Sequence, residues 1–229
     1  EAGLIRASMG KHKREHLRDV LFSNQVKTQW QQIFGNEPSE SDVEELYQKF
    51  HFTQLEVIEE RAGLIPGVRA VFSELKQRGL KIGSTTGYTR KMMEVLVPLA
   101  NEMGYQPDSV VCASDVSEGR PAPWMAITSA MEMGVYPMQA IVKVGDTPVD
   151  MAEGRNVGMW AVGVAMTGNE IGLDEEALKT LSSEELKQRL HVASERLYQS
   201  GAHYVVDGIW DVPSVLDQIQ QRLRQGEGP

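Results

Sequence analysis

"KVGDTPVDM", residues 143–151, decides the reading of the fold. It closes an apolar run, 140–144, that reads as a strand, then turns through Gly145 and Pro148 into a helix predicted over 149–156. Strand, short polar turn and helix in that order form a β-α unit. Working outward, the same succession recurs. Strands are predicted at 80–84, 109–113, 159–164 and 203–206, and helices over 68–78, 90–103, 123–133 and 212–224. Such alternation specifies an α/β architecture, a parallel sheet wrapped by helices on both faces.

In open sheets of this kind, ligands bind beyond the carboxyl ends of the strands. Three polar clusters fall there: "TTGYTR" (85–90), "SDVSEGRPAPW" (114–124) and "GDTPVD" (145–150). Asp146 and Asp150 have the chemistry of a hard-cation site, which takes one or two carboxylates plus water and substrate phosphate. The plainer alternative is that Asp146 caps the turn and Asp150 faces water. Thr86 and Gly87 could offer a hydroxyl and a backbone N–H to a phosphate oxygen, or Gly87 could serve only the turn. Arg120 could clamp a phosphoryl group through its fork of donors, or be a solvated loop arginine.

Residues 1–62 read as helices only, ahead of a Gly/Pro-punctuated linker at 63–67 and the α/β part at 68–229. Met9, Lys13, His16, Leu17 and Val20 are spaced to share one helical face. Further helices are expected over 25–34 and from "SDVE" (41–44), which has capping-box form, with Val43, Leu46, Tyr47 and Phe50 as its stripe. Lys13 on an apolar face would be partly desolvated. That favours the neutral amine, the form needed to condense with a carbonyl, and His16 one turn on could assist proton transfer. The pattern alone fits a snorkelling lysine better. A helical, acidic insertion over 168–199 carries a second capping box at "SSEE" (182–185).

Bulk chemistry removes some functions. The chain has 229 residues, 41% hydrophobic and 24% charged, with a net charge of −9. General affinity for nucleic-acid backbones is not expected, and "KHKREHLR" (11–18) is too short to supply it. No apolar run is long enough for a membrane span. The single cysteine, Cys112, lies in an apolar stretch and reads as a buried thiol, which fits a reducing cytoplasm.

"KIGSTTGYTR", "GRPAPW" and "KVGDTPVDM" resemble the second, third and fourth motifs of the haloacid dehalogenase-like phosphotransferases, whose core is Rossmann-like. With "MGKHKREH" (9–16) the resemblance narrows to the phosphonatase family within them and covers nearly the whole chain. It implies a helical cap over the α/β core and hydrolysis of a C–P bond in the degradation of 2-aminoethylphosphonate. It further implies a Schiff base at Lys13, phosphate binding by Thr86, Gly87 and Arg120, and Mg²⁺ at Asp146 and Asp150. Met9, His16 and Tyr88 would surround the aldehyde. The family also tends to form homodimers through the cap, with Trp30, Phe34 and Phe50 as candidate contacts.

One departure matters. The family's first motif, a strand ending in Asp-x-x-Gly-Thr that supplies the nucleophile, matches no aspartate here. The chain opens "EAGLIRASMG" and reads as a fragment, with that motif expected roughly 30 residues upstream, the span of one β-α unit. Residues 1–229 alone are expected to lack turnover and to leave two strands facing a gap with unpaired backbone groups. The competing readings are a phosphatase or phosphomutase of the same superfamily acting on P–O bonds, and a catalytically inactive phosphate-binding protein.

Overall fold

The computed structural model describes residues 2–229. Four helices come first: α1 (Ala2–Ala7), α2 (Lys13–Leu21), α3 (Asn24–Phe34) and α4 (Glu40–Val57). Then helices and strands alternate: α5 (Val68–Gln77), β1 (Gly83–Thr86), α6 (Arg90–Glu102), β2 (Ser109–Cys112), α7 (Trp124–Met133) and β3 (Val142–Gly145). They are followed by α8 (Pro148–Asn156), β4 (Trp160–Val164), α9 (Glu175–Thr180), α10 (Ser183–Gln199), β5 (Tyr204–Val206) and α11 (Val212–Arg224). All strand pairs are parallel, as the alternation requires.

The two faces of β4 show why the fold holds. Successive strand side chains point to opposite faces. Trp160 and Val162 pack against Val212, Val215 and Ile219 of α11, whereas Ala161 and Ala165 pack against Met151 of α8 and Ala193 and Leu197 of α10. At Gly163 α10 comes so near that an added Cβ would lie 3.0 Å from Leu197 Cδ1. The acidic insertion is therefore one side of the core as well as a solvated surface.

The strands form two sheets, β1–β2 and β3–β4–β5. Between β1 and β3 runs a cavity of about 770 Å³, lined along its length by residues 82–86 and 141–145. Side chains bridge it: the Lys143 ammonium donates to Thr85 Oγ1 at 2.7 Å.

Three local expectations need correcting. Strand β1 begins at Gly83 rather than residue 80, because Asp108 takes up the preceding backbone: its carboxylate accepts from Ile82 N–H at 2.8 Å. Helix α4 begins at Glu40, since Ser39 and Asp42 form the capping box; Glu44 instead pairs with Arg14 at 3.1 Å. Met9 is not on the Lys13 helix. Gly10, at φ +89°, breaks the chain before α2, and His12 caps that helix by accepting from Arg14 N–H.

Candidate active site

The rim at the carboxyl ends of β1 and β3 brings nearly all the expected residues together. Met9, Lys13, Thr86, Gly87, Tyr88, Arg120, Asp146 and Asp150 line one cavity mouth. His16 does not line it; it is buried one turn into α2, and its neutral form is favoured by burial and by the Lys13 charge.

Lys13 is the first residue of α2 and half-buried. Its amine lies 3.9 Å from Met9 Sδ and 5.3 Å from the centre of the Tyr88 ring. Among the described residues no carboxylate pairs with it, and burial followed by the Arg120 charge holds its pKa below the ordinary lysine value. The start of a helix carries partial positive charge, which disfavours an ammonium there in the same direction. Lys11 is different. It also lines the cavity, but its ammonium is tied to Asp19 at 2.6 Å.

Arg120 and Asp150 sit in a buried set of four charges. Arg120, only 7% exposed, pairs through Nη1 with Asp150 Oδ1 at 2.9 Å, and its Nη2 donates to the Thr85 carbonyl at 2.7 Å. Its Nε lies 3.3 Å from Glu153 Oε2. Lys143 pairs with Asp150 Oδ1 at 3.2 Å and with Glu153 Oε2. Two cations thus balance two carboxylates. Arg120 is accordingly not a solvated arginine, and Asp150 does not face water. Asp150 is the N3 member of a capping box with Thr147, and its pKa lies below the usual carboxylate range. Burial opposes that shift, and Lys143, Arg120 and Thr147 outweigh it.

Asp146 stands outside that balance. Its Oδ2 accepts from Asn169 N–H at 2.9 Å, and its pKa is raised, first by burial and then by the Asp150 charge. A half-buried carboxylate with this bias suits a cation, and Asp150 stands behind it. Among the described residues no three ligating side chains cluster, so further oxygens would come from water, substrate or another segment.

Residues the sequence reading did not single out complete the site. Lys143 and Glu153 carry half of the buried charge. Gly10 and Gly87 let the 8–12 loop lie against the rim: a Cβ on Gly87 would sit 2.7 Å from the Lys11 carbonyl oxygen, and one on Gly10 2.6 Å from Thr147 Oγ1. Gly87 is therefore required by an approaching backbone, a reason distinct from turn dihedrals. A lysine inside an apolar strand was the available signal for Lys143, because buried charges need partners.

Residues 5–158 match the haloacid dehalogenase-like hydrolase family. The chain belongs to that class, the hydrolases whose rim of strand ends over a parallel sheet it reproduces. A phosphonoacetaldehyde hydrolase of Nitratidesulfovibrio vulgaris is 46% identical over 224 residues, 98% of this chain and 80% of the relative. A phosphonoacetaldehyde hydrolase-like protein of Syntrophobacter fumaroxidans is 44% identical, over 98% of this chain and 81% of its own length. The crystal structure of a similarly named protein from Oleispira antarctica superposes with a TM-score of 0.97 at 40% identity, over 100% of this chain and 83% of that one. Within the class, the chain is a member of the phosphonoacetaldehyde hydrolase family.

Proposed function

We propose that this protein hydrolyses the C–P bond of phosphonoacetaldehyde to acetaldehyde and phosphate. The observation that carries the reading is the Lys13 amine, unpaired with any carboxylate among the described residues and biased toward neutrality, on the same cavity mouth as Arg120, Thr86 and Gly87. A C–P bond resists direct displacement because the departing carbon pair needs an acceptor. Lys13 adds to the aldehyde and loses water to give a protonated imine. As phosphorus passes to a carboxylate nucleophile, the C–P electrons move into that imine and leave an enamine. Protonation at carbon and hydrolysis then free acetaldehyde and the amine, while water cleaves the acyl phosphate.

Thr86, Gly87 and Arg120 hold the phosphoryl oxygens in this reading, and Met9 and Tyr88 flank the amine. His16, one turn behind Lys13 and held toward its neutral form by burial, could relay a proton to or from the amine in this reading. Asp146, with Asp150 behind it, would hold Mg²⁺, which when bound supplies positive charge to the phosphoryl group. The nucleophile is expected on a further strand between β1 and β3, and the side-chain-bridged cleft there supports that expectation. The reading treats residues 1–62 as a cap that hinges at 63–67 over the core at 68–229.

Ile33 and Phe34 of α3 and Phe52 of α4 are 74%, 60% and 67% exposed, an apolar surface that supports a homodimer through the cap. Trp30 stacks on Phe34 there, and Phe50 is half-buried. No described helix is long and apolar enough to cross a membrane. Burial pushes the pKa of the Cys112 thiol up to about 11, so the thiol is inert, and a single free cysteine is compatible with the reducing cytoplasm this reading assigns.

Product analysis on the native protein tests the reading. Phosphonoacetaldehyde should yield phosphate and acetaldehyde in equal amounts; turnover confined to phosphate monoesters would instead favour P–O chemistry. Two further results are expected. Because the amine must be neutral to add, kcat/KM should climb with pH through the Lys13 pKa, with a midpoint below the ordinary lysine value of 10.5. A pH–rate profile with its midpoint at or above that value would contradict the proposed state of Lys13. Gly87→Ala should push the 8–12 loop off the rim and cut kcat/KM about 10²-fold, because small misplacements are costly. Thermal melting, run beside the kinetics, should move little.

A further inference from the structure

The acidic insertion and its approach loop are unused by the chemistry above, yet they touch both partners of the cavity mouth. After β4 the chain crosses the rim. Asn169 N–H donates to Asp146 Oδ2 at 2.9 Å, and its side-chain amide donates to the Arg6 carbonyl at 3.4 Å and to Glu170 Oε1 at 3.1 Å. Both partners of that amide are acceptors, so its orientation is dictated by them. In the other direction the Arg6 guanidinium donates to the Gly172 carbonyl. Gly172, at φ +61°, lies against the Arg6 guanidinium, which would have to shift to admit a Cβ there.

The loop has its own support. Glu170, whose side chain is 5% exposed, pairs through Oε2 with Arg196 of α10 at 3.1 Å, and Ile171 is buried. At Gly168 an added Cβ would lie 2.5 Å from the Val164 carbonyl and 2.7 Å from Asp146 Cβ. Helix α10 therefore holds Glu170, Glu170 holds Asn169, and Asn169 joins the Asp146 rim to the end of α1. Helix α1 leads directly into the 8–12 loop and Lys13.

We propose that Asn169 and Arg6 form a reciprocal latch that seats the Lys13-bearing loop on the Asp146 rim, with Asn169 as the positioning residue. The latch rests on the proposed function for its consequence, since it would set how the imine-forming amine meets the phosphoryl group. Neither residue touches the reacting atoms. The insertion acquires a purpose: it is the brace behind the latch.

Asn169→Asp is nearly isosteric and sets a carboxylate against the Arg6 carbonyl and Glu170; Arg6→Gln removes the guanidinium contact from the other side. The test uses the native protein, with amide hydrogen exchange and steady-state kinetics on phosphonoacetaldehyde. Both variants should speed exchange of the 8–13 amides about tenfold, the scale of one or two lost net hydrogen bonds, and leave β4 and α11 protected. KM should rise by about the same factor while kcat changes less than about threefold. If Asn169→Asp loosens β4 and α11 as well, Arg6→Gln decides. Exchange at 8–13 and KM both within twofold of wild type would overturn the latch, as would faster exchange with KM unmoved. A wild type that does not turn over phosphonoacetaldehyde would defeat the proposed function instead, and the exchange data would then judge the latch alone.

Discussion

Lys13→Arg should abolish turnover of phosphonoacetaldehyde, with kcat lower by about 10⁴-fold or more, the scale seen when a covalent nucleophile is removed. Arginine cannot form an imine, so the covalent step is lost, and it also fixes a cation where burial and Arg120 disfavour one; Lys13→Met, neutral and of similar length, should lose the same turnover without that added charge. Folding should be unaffected. Lys13 is half-buried, and no carboxylate depends on it among the described residues. Circular dichroism and the melting temperature should therefore match wild type. Lys11→Arg is the internal control: Lys11 is held by Asp19 at 2.6 Å, so its variant should keep most activity. A Lys13→Arg protein within about tenfold of wild-type kcat would show that the chemistry runs without this amine.

Arg120→Met should damage both stability and catalysis. Its guanidinium offsets Asp150 and Glu153, which are 4% and 0% exposed, and Lys143 alone would be left to balance two buried carboxylates. Removing one partner from such a cluster costs about 3–5 kcal/mol. For a chain of this size that corresponds to a melting temperature lower by about 10 °C. In the proposed function the same change also removes a group that holds the phosphoryl oxygens, so kcat/KM should fall about 10³-fold in the fraction that remains folded. Arg120→Lys separates the two effects. It restores much of the charge balance and hence the melting temperature, but without the fork that reaches Thr85 it should stay slow. Full activity in either variant would remove Arg120 from the phosphate site.

The fold was legible because its signals are local. Each β-α unit shows an apolar run, a polar turn and a helix, so every predicted strand has its observed counterpart within a few residues. The rim was legible for the same reason, since strand ends are where the polar clusters fall. What escaped depends on geometry between distant segments. The sequence shows Lys143 and Glu153 as a strand lysine and a helix glutamate, and only the β3-to-α8 crossover makes them partners. The Gly87 contact with the Lys11 carbonyl joins two segments that lie far apart in the chain. Asn169 carries no local signal, because its contacts with Asp146 and Arg6 join segments far apart in the chain. The capping box at Ser39 was a matter of competing local options, because Ser41 and Glu44 offer the same spacing and lose once Glu44 pairs with Arg14. Met9 illustrates a rule applied too simply: periodicity cannot run through a glycine at positive φ, although the Met9 sulfur still comes within 3.9 Å of the Lys13 amine.

In the proposed reaction the Lys13 nitrogen becomes covalently bonded to the aldehyde carbon while the phosphoryl group rests on the Arg120 side. The most direct test is to reduce the native protein with borohydride in the presence of phosphonoacetaldehyde and map the modified peptide by mass spectrometry. One reduced adduct at Lys13, blocked when substrate is omitted, is the predicted result. An adduct at Lys11, or active protein with no modified lysine, would contradict the account.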